Sequence, residues 1–162
     1  MINIKRHSGI YTLVAKQELP ISIEEAWNFF SSPINLAKVS PPSMKFKVTS
    51  QPSEELYPGQ IITHKVALLP GISINWITEI THVKKYNYFI DEQRFGLYTM
   101  WHHEHRFKEM NQGVSIIDQI SYKVPLGVLG RLIHLFVIKQ QLINVFEFRF
   151  KALNNLFSHG RK

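Results

Sequence analysis

Cysteine is absent from this 162-residue chain. That excludes a disulfide scaffold, a thiolate metal site and a cysteine nucleophile, and it fits a reducing cytoplasm, the expected location. Acidic residues are few: 12 Asp and Glu stand against 19 Lys and Arg, a net charge of +7. Long hydrophobic runs are missing as well. The longest, LIHLFVI at 132–138, is far short of the roughly 20 residues that span a bilayer. The opening MINIKRHSGIYTLV holds no unbroken apolar segment, so neither a signal peptide nor a transmembrane segment is expected. No P-loop and no GxSxG motif occurs, which removes the nucleotide-binding and serine-hydrolase signatures.

What remains has the composition of an ordinary globular domain. Hydrophobic residues make up 44% and charged residues 19%, enough apolar content to build a core. The length predicts a single domain over 1–162. Basic residues cluster only at the ends (Lys5, Arg6; Arg161, Lys162) and at Lys84 and Lys85. With no zinc-finger or RRM signature, nucleic acid is not an expected partner. Oligomeric state is not written in the sequence.

Alternation at Tyr11, Leu13 and Ala15 predicts a strand over 10–19, stopped by Pro20. Ser22-Ile-Glu-Glu25 is a capping box ahead of Ala26, Trp27, Phe29 and Phe30, which predicts a short amphipathic helix. Ser32-Pro33 restarts the chain as a second short helix, ending before Pro41-Pro42. Strand-like segments follow at 44–50, 60–68, 72–82, 86–94, 97–109 and 113–124, separated by Pro, Gly and Asn turn signals. The short connections predict an antiparallel meander. Over 130–157 the apolar period is helical. At 100° per residue, Leu132, Phe136, Ile143, Phe146, Phe150, Leu153 and Phe157 form one stripe, with Arg131, His134, Gln141, Arg149 and Asn155 opposite. The expected class is α+β: a curved antiparallel sheet wrapped around a long C-terminal helix, with two short helices after the first strand.

Side-chain alternation places Trp101, His103, His105 and Phe107 on the concave face, and Ile116, Asp118, Ile120, Tyr122 and Val124 beside them. A tight turn at Asn111-Gln112 would pair His105 with Asp118, His103 with Ile120 and Trp101 with Tyr122. A turn at Phe95-Gly96-Leu97 would set Asp91 beside Trp101 and Phe89 beside His103. The result is a polar island of His103, His105, Asp118, Asp91 and Gln93 inside an aromatic wall. The favoured reading is an internal hydrogen-bond network, with no metal and no cofactor assigned. His103, His105 and Asp118 would otherwise make a two-histidine, one-carboxylate metal set, or a general base with its orienting carboxylate.

The segments 14–30 (VAKQELPISIEEAWNFF), 89–107 (FIDEQRFGLYTMWHHEHRF) and 118–130 (DQISYKVPLGVLG), together with Trp76, resemble the START-like, helix-grip superfamily, also called SRPBCC. The resemblance is nearest to the bacterial ligand-binding branch often labelled cell division inhibitor or polyketide cyclase-like. It implies an internal cavity for a hydrophobic or amphipathic small molecule, such as a lipid, quinone or aromatic metabolite. The expected binding residues are Trp76, Phe89, Asp91, Gln93, Trp101, His103, His105, Asp118, Tyr122, Phe136, Lys139 and Ile143. Catalysis is not expected to be the main role. Two alternatives stay open: a small cyclase or dehydratase using His103, His105 and Asp118, and a protein-interaction or regulatory domain marked by an exposed apolar patch instead of a deep cavity.

Overall fold

The computed structural model describes residues 1–51, 53, 55–69 and 72–157, with nothing said of the Leu68 and Leu69 side chains. Strands β1 (Ile2–His7) and β2 (Ile10–Leu19) lead to helices α1 (Ile23–Phe30) and α2 (Pro33–Lys38) and a short 3-10 turn, Pro42–Met44. Six strands follow: β3 (Lys47–Val48), β4 (Gln60–Leu69), β5 (Ile72–Lys84), β6 (Tyr88–Phe95), β7 (Met100–Met110) and β8 (Gly113–Lys123). The chain ends in a long helical segment: α3 (Gly127–Ile133), a π-helical turn (His134–Ile138) and α4 (Lys139–Phe157). All strands form one antiparallel sheet in the order β1-β2-β8-β7-β6-β5-β4-β3. The α+β helix-grip expectation is met.

β1 was not expected from the sequence. It joins β2 through Ser8 and Gly9, both at positive φ (47° and 81°), the conformation that matches the twist of a two-residue hairpin. The Ser-Gly pair was the available signal. α1 starts where the capping box places it: the Glu25 amide donates to Ser22 Oγ at 3.0 Å. At α2, Ser32 occupies the cap position without a side-chain bond, and Pro33 opens the helix.

Two apolar clusters hold the sheet to the helices. In one, Trp27 of α1 sets its edge against Phe89 and Phe107 at ring distances of 5.9 and 5.6 Å, beside Val114, Ile116 and Leu153. In the other, Leu13, Ile120 and Tyr122 meet Leu142 and Phe146. Register shifts between β5 and β6 bend the sheet. Gly113 makes a close backbone approach. Its φ is +127°, and a Cβ there would sit 2.1 Å from the Leu19 carbonyl oxygen. Gly113→Ala is therefore expected to cost about 2–3 kcal/mol, read by urea denaturation. A loss below measurement would show that the β2–β8 end relaxes freely.

The helical stripe is corrected by the structure. Phe136 and Leu132 are exposed (75% and 51%), whereas His134 and Arg149, assigned to the outer side, are buried. The inward residues run His134, Ile138, Leu142 and Phe146, steps of four that suit the wider π turn better than a constant 100° rotation. The segment Gly127–Phe157 is long and apolar enough to cross a bilayer by length and composition, which counting unbroken apolar runs did not reveal. Its α4 half packs on the sheet as a core helix through Leu142, Phe146 and Leu153, and Gln17 Nε2 ties it to β2 by donating to the Phe150 carbonyl at 3.0 Å. α3 exposes Val128, Leu129 and Leu132, and the π turn Leu135.

Candidate functional site

Between the concave sheet, α2 and α4 lies a cavity of about 1010 Å³, at the upper end of the about 300–1,000 Å³ usual for small-molecule sites. Its wall is largely aromatic and aliphatic: Phe30, Trp76, Phe89, Tyr98, Trp101 and Phe146 line it, among others. Trp76 meets Trp101 edge-to-face at 5.3 Å, and Tyr98 caps both, with ring centroids 5.8 Å from Trp76 and 4.7 Å from Trp101. The strands supply this wall because every second residue of β5, β6 and β7 points inward.

A polar floor interrupts the wall where β6, β7 and β8 run side by side. The β7–β8 pairing is as the sequence predicts: His105 opposite Asp118, His103 opposite Ile120, Trp101 opposite Tyr122. The β6–β7 pairing is two residues off. Asp91 lies opposite His103 and Phe89 opposite His105. The physical reason is Gln93. Its Nε2 donates to the Tyr98 carbonyl at 2.6 Å, and the Tyr98 amide donates back to its Oε1 at 3.2 Å. The side-chain amide stands in for a peptide unit and holds open a four-residue connection, 96–99. Parity is kept, so the same faces still point inward.

The shift brings both carboxylates onto both histidines. His103 Nε2 donates to Asp118 Oδ1 at 3.0 Å, and His105 Nε2 donates to Asp91 Oδ2 at 3.0 Å. His103 Nδ1 stands 3.4 Å from Asp91 Oδ2. His105 Nδ1 stands 2.8 Å from Asp118 Oδ1, at an angle that makes this an ionic contact and leaves Nδ1 without a directed partner. Arg149 of α4 completes the group, 3.6 Å from Asp118 Oδ1, with its guanidinium over the Phe146 ring.

The charges follow from these contacts. Burial opposes ionisation of Asp118, but the hydrogen bond from His103, the adjoining His105 ring and the Arg149 charge outweigh it and hold its carboxyl well below the ordinary value. Asp91 is lowered in the same way, against burial, by the two histidines. Burial also opposes charge on His105; the close Asp118 and Asp91 carboxylates prevail and raise its pKa. His103 is lowered, first by burial and then by the neighbouring His105 charge. Two carboxylates thus stand against Arg149 and a histidine pushed towards its charged form, and this pairing of opposite signs is how such a cluster tolerates a low dielectric.

Of the residues expected to bind, Trp76, Phe89, Asp91, Trp101, His103 and His105 line the cavity. Asp118 lies behind the histidines. Gln93 is spent on the Tyr98 backbone. Tyr122 is turned away, its hydroxyl 2.7 Å from His134 Nε2. Phe136 and Lys139 are exposed and Ile143 half-buried, all three outside the cavity lining. Their placement failed with the helical stripe, for the same π-turn reason. Sequence reasoning missed Arg149, assigned to solvent by that stripe, and His64 of β4. His64 alternates inward with Ile62 and Val66, a signal that was available.

His64 is buried between Phe46 and Trp76, and its Nδ1 has no hydrogen-bond partner among the described residues. Burial lowers its pKa from 6.5 to about 4, although Asp91 pulls the other way. The unfolded chain therefore takes up a proton that the folded protein refuses. Above about pH 6.5 this group costs nothing; as pH falls towards about 4 it comes to cost about 3 kcal/mol of stability. Measuring unfolding free energy against pH should show that this fraction of the acid sensitivity disappears in His64→Asn. An unchanged pH profile in the variant would refute the assignment.

No protein-family model and no curated protein matches the sequence. Solved structures do. Protein Ms6760 from Mycobacterium smegmatis superposes with a TM-score of 0.68 at 18% identity, covering 98% of both chains. CV1439 from Chromobacterium violaceum gives 0.70 at 15% identity, over 90% of this chain and 96% of its own. Ara h 8.0201 gives 0.60 at 10% identity, over 91% and 99%. At such identities the likeness is one of fold. The shared fold is the helix-grip arrangement of an antiparallel sheet and a long C-terminal helix.

Proposed function

We propose that this protein is a cytoplasmic, single-domain binder of a hydrophobic or amphipathic small molecule, a lipid, quinone or aromatic metabolite, of the bacterial SRPBCC ligand-binding branch. One observation carries the reading: an aromatic-walled cavity of about 1010 Å³ whose polar groups gather on one floor. Trp76, Phe89 and Trp101 would hold the apolar body of the guest. Unpartnered nitrogens on His64 and Arg149 would meet its polar end, since a buried donor without a partner is costly until something satisfies it.

Native mass spectrometry of freshly expressed protein should reveal a retained organic guest, which solvent extraction releases. Re-adding it should raise the melting temperature, because a ligand of the native state alone stabilises that state. Ala67→Phe places a ring in the cavity and is expected to reduce guest retention at least about tenfold. Wild-type protein that carries no guest and gains no stability from a lipid and aromatic library would overturn the proposal.

A second reading has one observation in its favour. His103 and His105 face open cavity volume, as a cyclase or dehydratase base must, and the lowered pKa of His103 keeps a free nitrogen at neutral pH. Turnover of a polyketide-like substrate that vanishes in His103→Gln would establish it.

A further inference from the structure

We propose that Asp91, His103 and His105 form a binding site for a divalent first-row transition cation on the cavity floor. The donor atoms are Asp91 Oδ2, His103 Nδ1 and His105 Nε2. They lie within 4.8 Å of one another, with the Asp91 oxygen 3.4 Å from the first nitrogen and 3.0 Å from the second. For metal bonds of about 2.1 Å, donors on a tetrahedral or octahedral face are spaced by about 3.0–3.4 Å. Both oxygen–nitrogen distances already have that spacing.

The far sides of the rings supply the second argument. Metal-binding histidines direct their other nitrogen at a carboxylate, which fixes the tautomer and aims the lone pair. Here Asp118 does this for His103 and lies close against the second ring. Asp118 Oδ1 accepts from His103 Nε2 at 3.0 Å and lies 2.8 Å from His105 Nδ1. Arg149 stands behind Asp118 at 3.6 Å. Asp118 is thus a positioning residue, and the carboxylate left facing the incoming cation is Asp91. The third ligand therefore differs from the one expected in sequence, because the β6–β7 register puts Asp91 opposite His103.

The contact between Asp91 and the two rings also needs something positive in it. A carboxylate oxygen facing two imidazole nitrogens must share a proton or a cation with them, since each ring in its neutral form leaves one nitrogen as a bare acceptor. A cation there would replace the proton that His105 Nε2 now donates to Asp91. Two nitrogens and one carboxylate oxygen suit zinc, iron(II) or manganese(II) more than calcium or magnesium, which favour all-oxygen sets. All three ligand residues line the cavity, so the remaining coordination positions open on it, within reach of an oxygen atom of a guest.

The experiment is isothermal titration of tag-free protein with zinc, with cobalt(II) absorption as an independent readout. The wild-type chain is expected to bind one equivalent at micromolar or tighter affinity and to show visible cobalt bands. Asp91→Asn and His103→Gln, each checked for cooperative melting, are expected to weaken binding at least about a hundredfold. His102→Ala, which removes a histidine on the opposite face of β7 beside Glu92, should bind as wild type. No saturable binding below about 100 μM, or binding lost in His102→Ala and kept in Asp91→Asn, overturns the site. The outcome is separate from the carrier reading, because metal content and a retained organic guest are measured independently.

Discussion

Asp118→Asn is expected to lower the unfolding free energy at neutral pH by about 3–5 kcal/mol, the cost of removing one partner from a buried ionic group. Asp118 lies 3.0 Å from His103, 2.8 Å from His105 and 3.6 Å from Arg149. Without its charge, buried Arg149 on α4 loses its ion-pair partner among the described residues. The loss reports on assembly of the fold, because this carboxylate is where the centre of the sheet meets the long helix. Linkage fixes the pH dependence. The folded pKa lies well below 3.8, so Asp118 contributes fully above its unfolded value, and the contribution is lost as pH falls through the lowered folded value. Wild type and variant should therefore converge in strong acid. Adding Arg149→Met to Asp118→Asn should recover part of the loss, since it removes the stranded cation. A single-variant loss below about 1 kcal/mol would show that the group is solvated.

Phe146→Ala is expected to cost about 3–5 kcal/mol, and Phe136→Ser less than about 0.5 kcal/mol. Both residues belong to the apolar stripe drawn from helical period, and an even-handed stripe would charge them alike. In the structure Phe146 is 2% exposed and Phe136 75% exposed. Truncating Phe146 opens a void beside Leu142 and Ile120 and removes the ring beneath the Arg149 guanidinium. Truncating Phe136 removes a side chain already in water. Chemical denaturation of the two variants checks the difference. Equal costs would mean that the helix presents the face read from its sequence.

Local rules worked where the chain is locally determined. The β7–β8 register follows from alternation and a two-residue turn, and it placed His105 opposite Asp118 correctly. α1 follows from Ser22 and the apolar spacing after it. The β6–β7 register depends on Gln93 bonding to a backbone five residues away. Composition and parity see nothing of such a bond, since a shift of two leaves every side chain on its expected face. Arg149 was misplaced because a guanidinium in an amphipathic pattern reads as solvent-facing unless an anion awaits it, and that anion, Asp118, comes from a strand thirty-one residues earlier in the chain.

Taken alone, the amino-acid order determined the antiparallel meander, the terminal helix, the inward face of β7 and β8, and the presence of histidine and carboxylate together within it. Those depend on periodicity and turn chemistry, which act over a few residues. Tertiary structure alone decided which carboxylate meets which nitrogen, how the helix turns about its axis, and that open space remains above the polar floor. A π turn, one glutamine amide and one buried ion pair set those outcomes; the first two are local geometries that periodicity does not encode, and the third joins residues brought together only by folding.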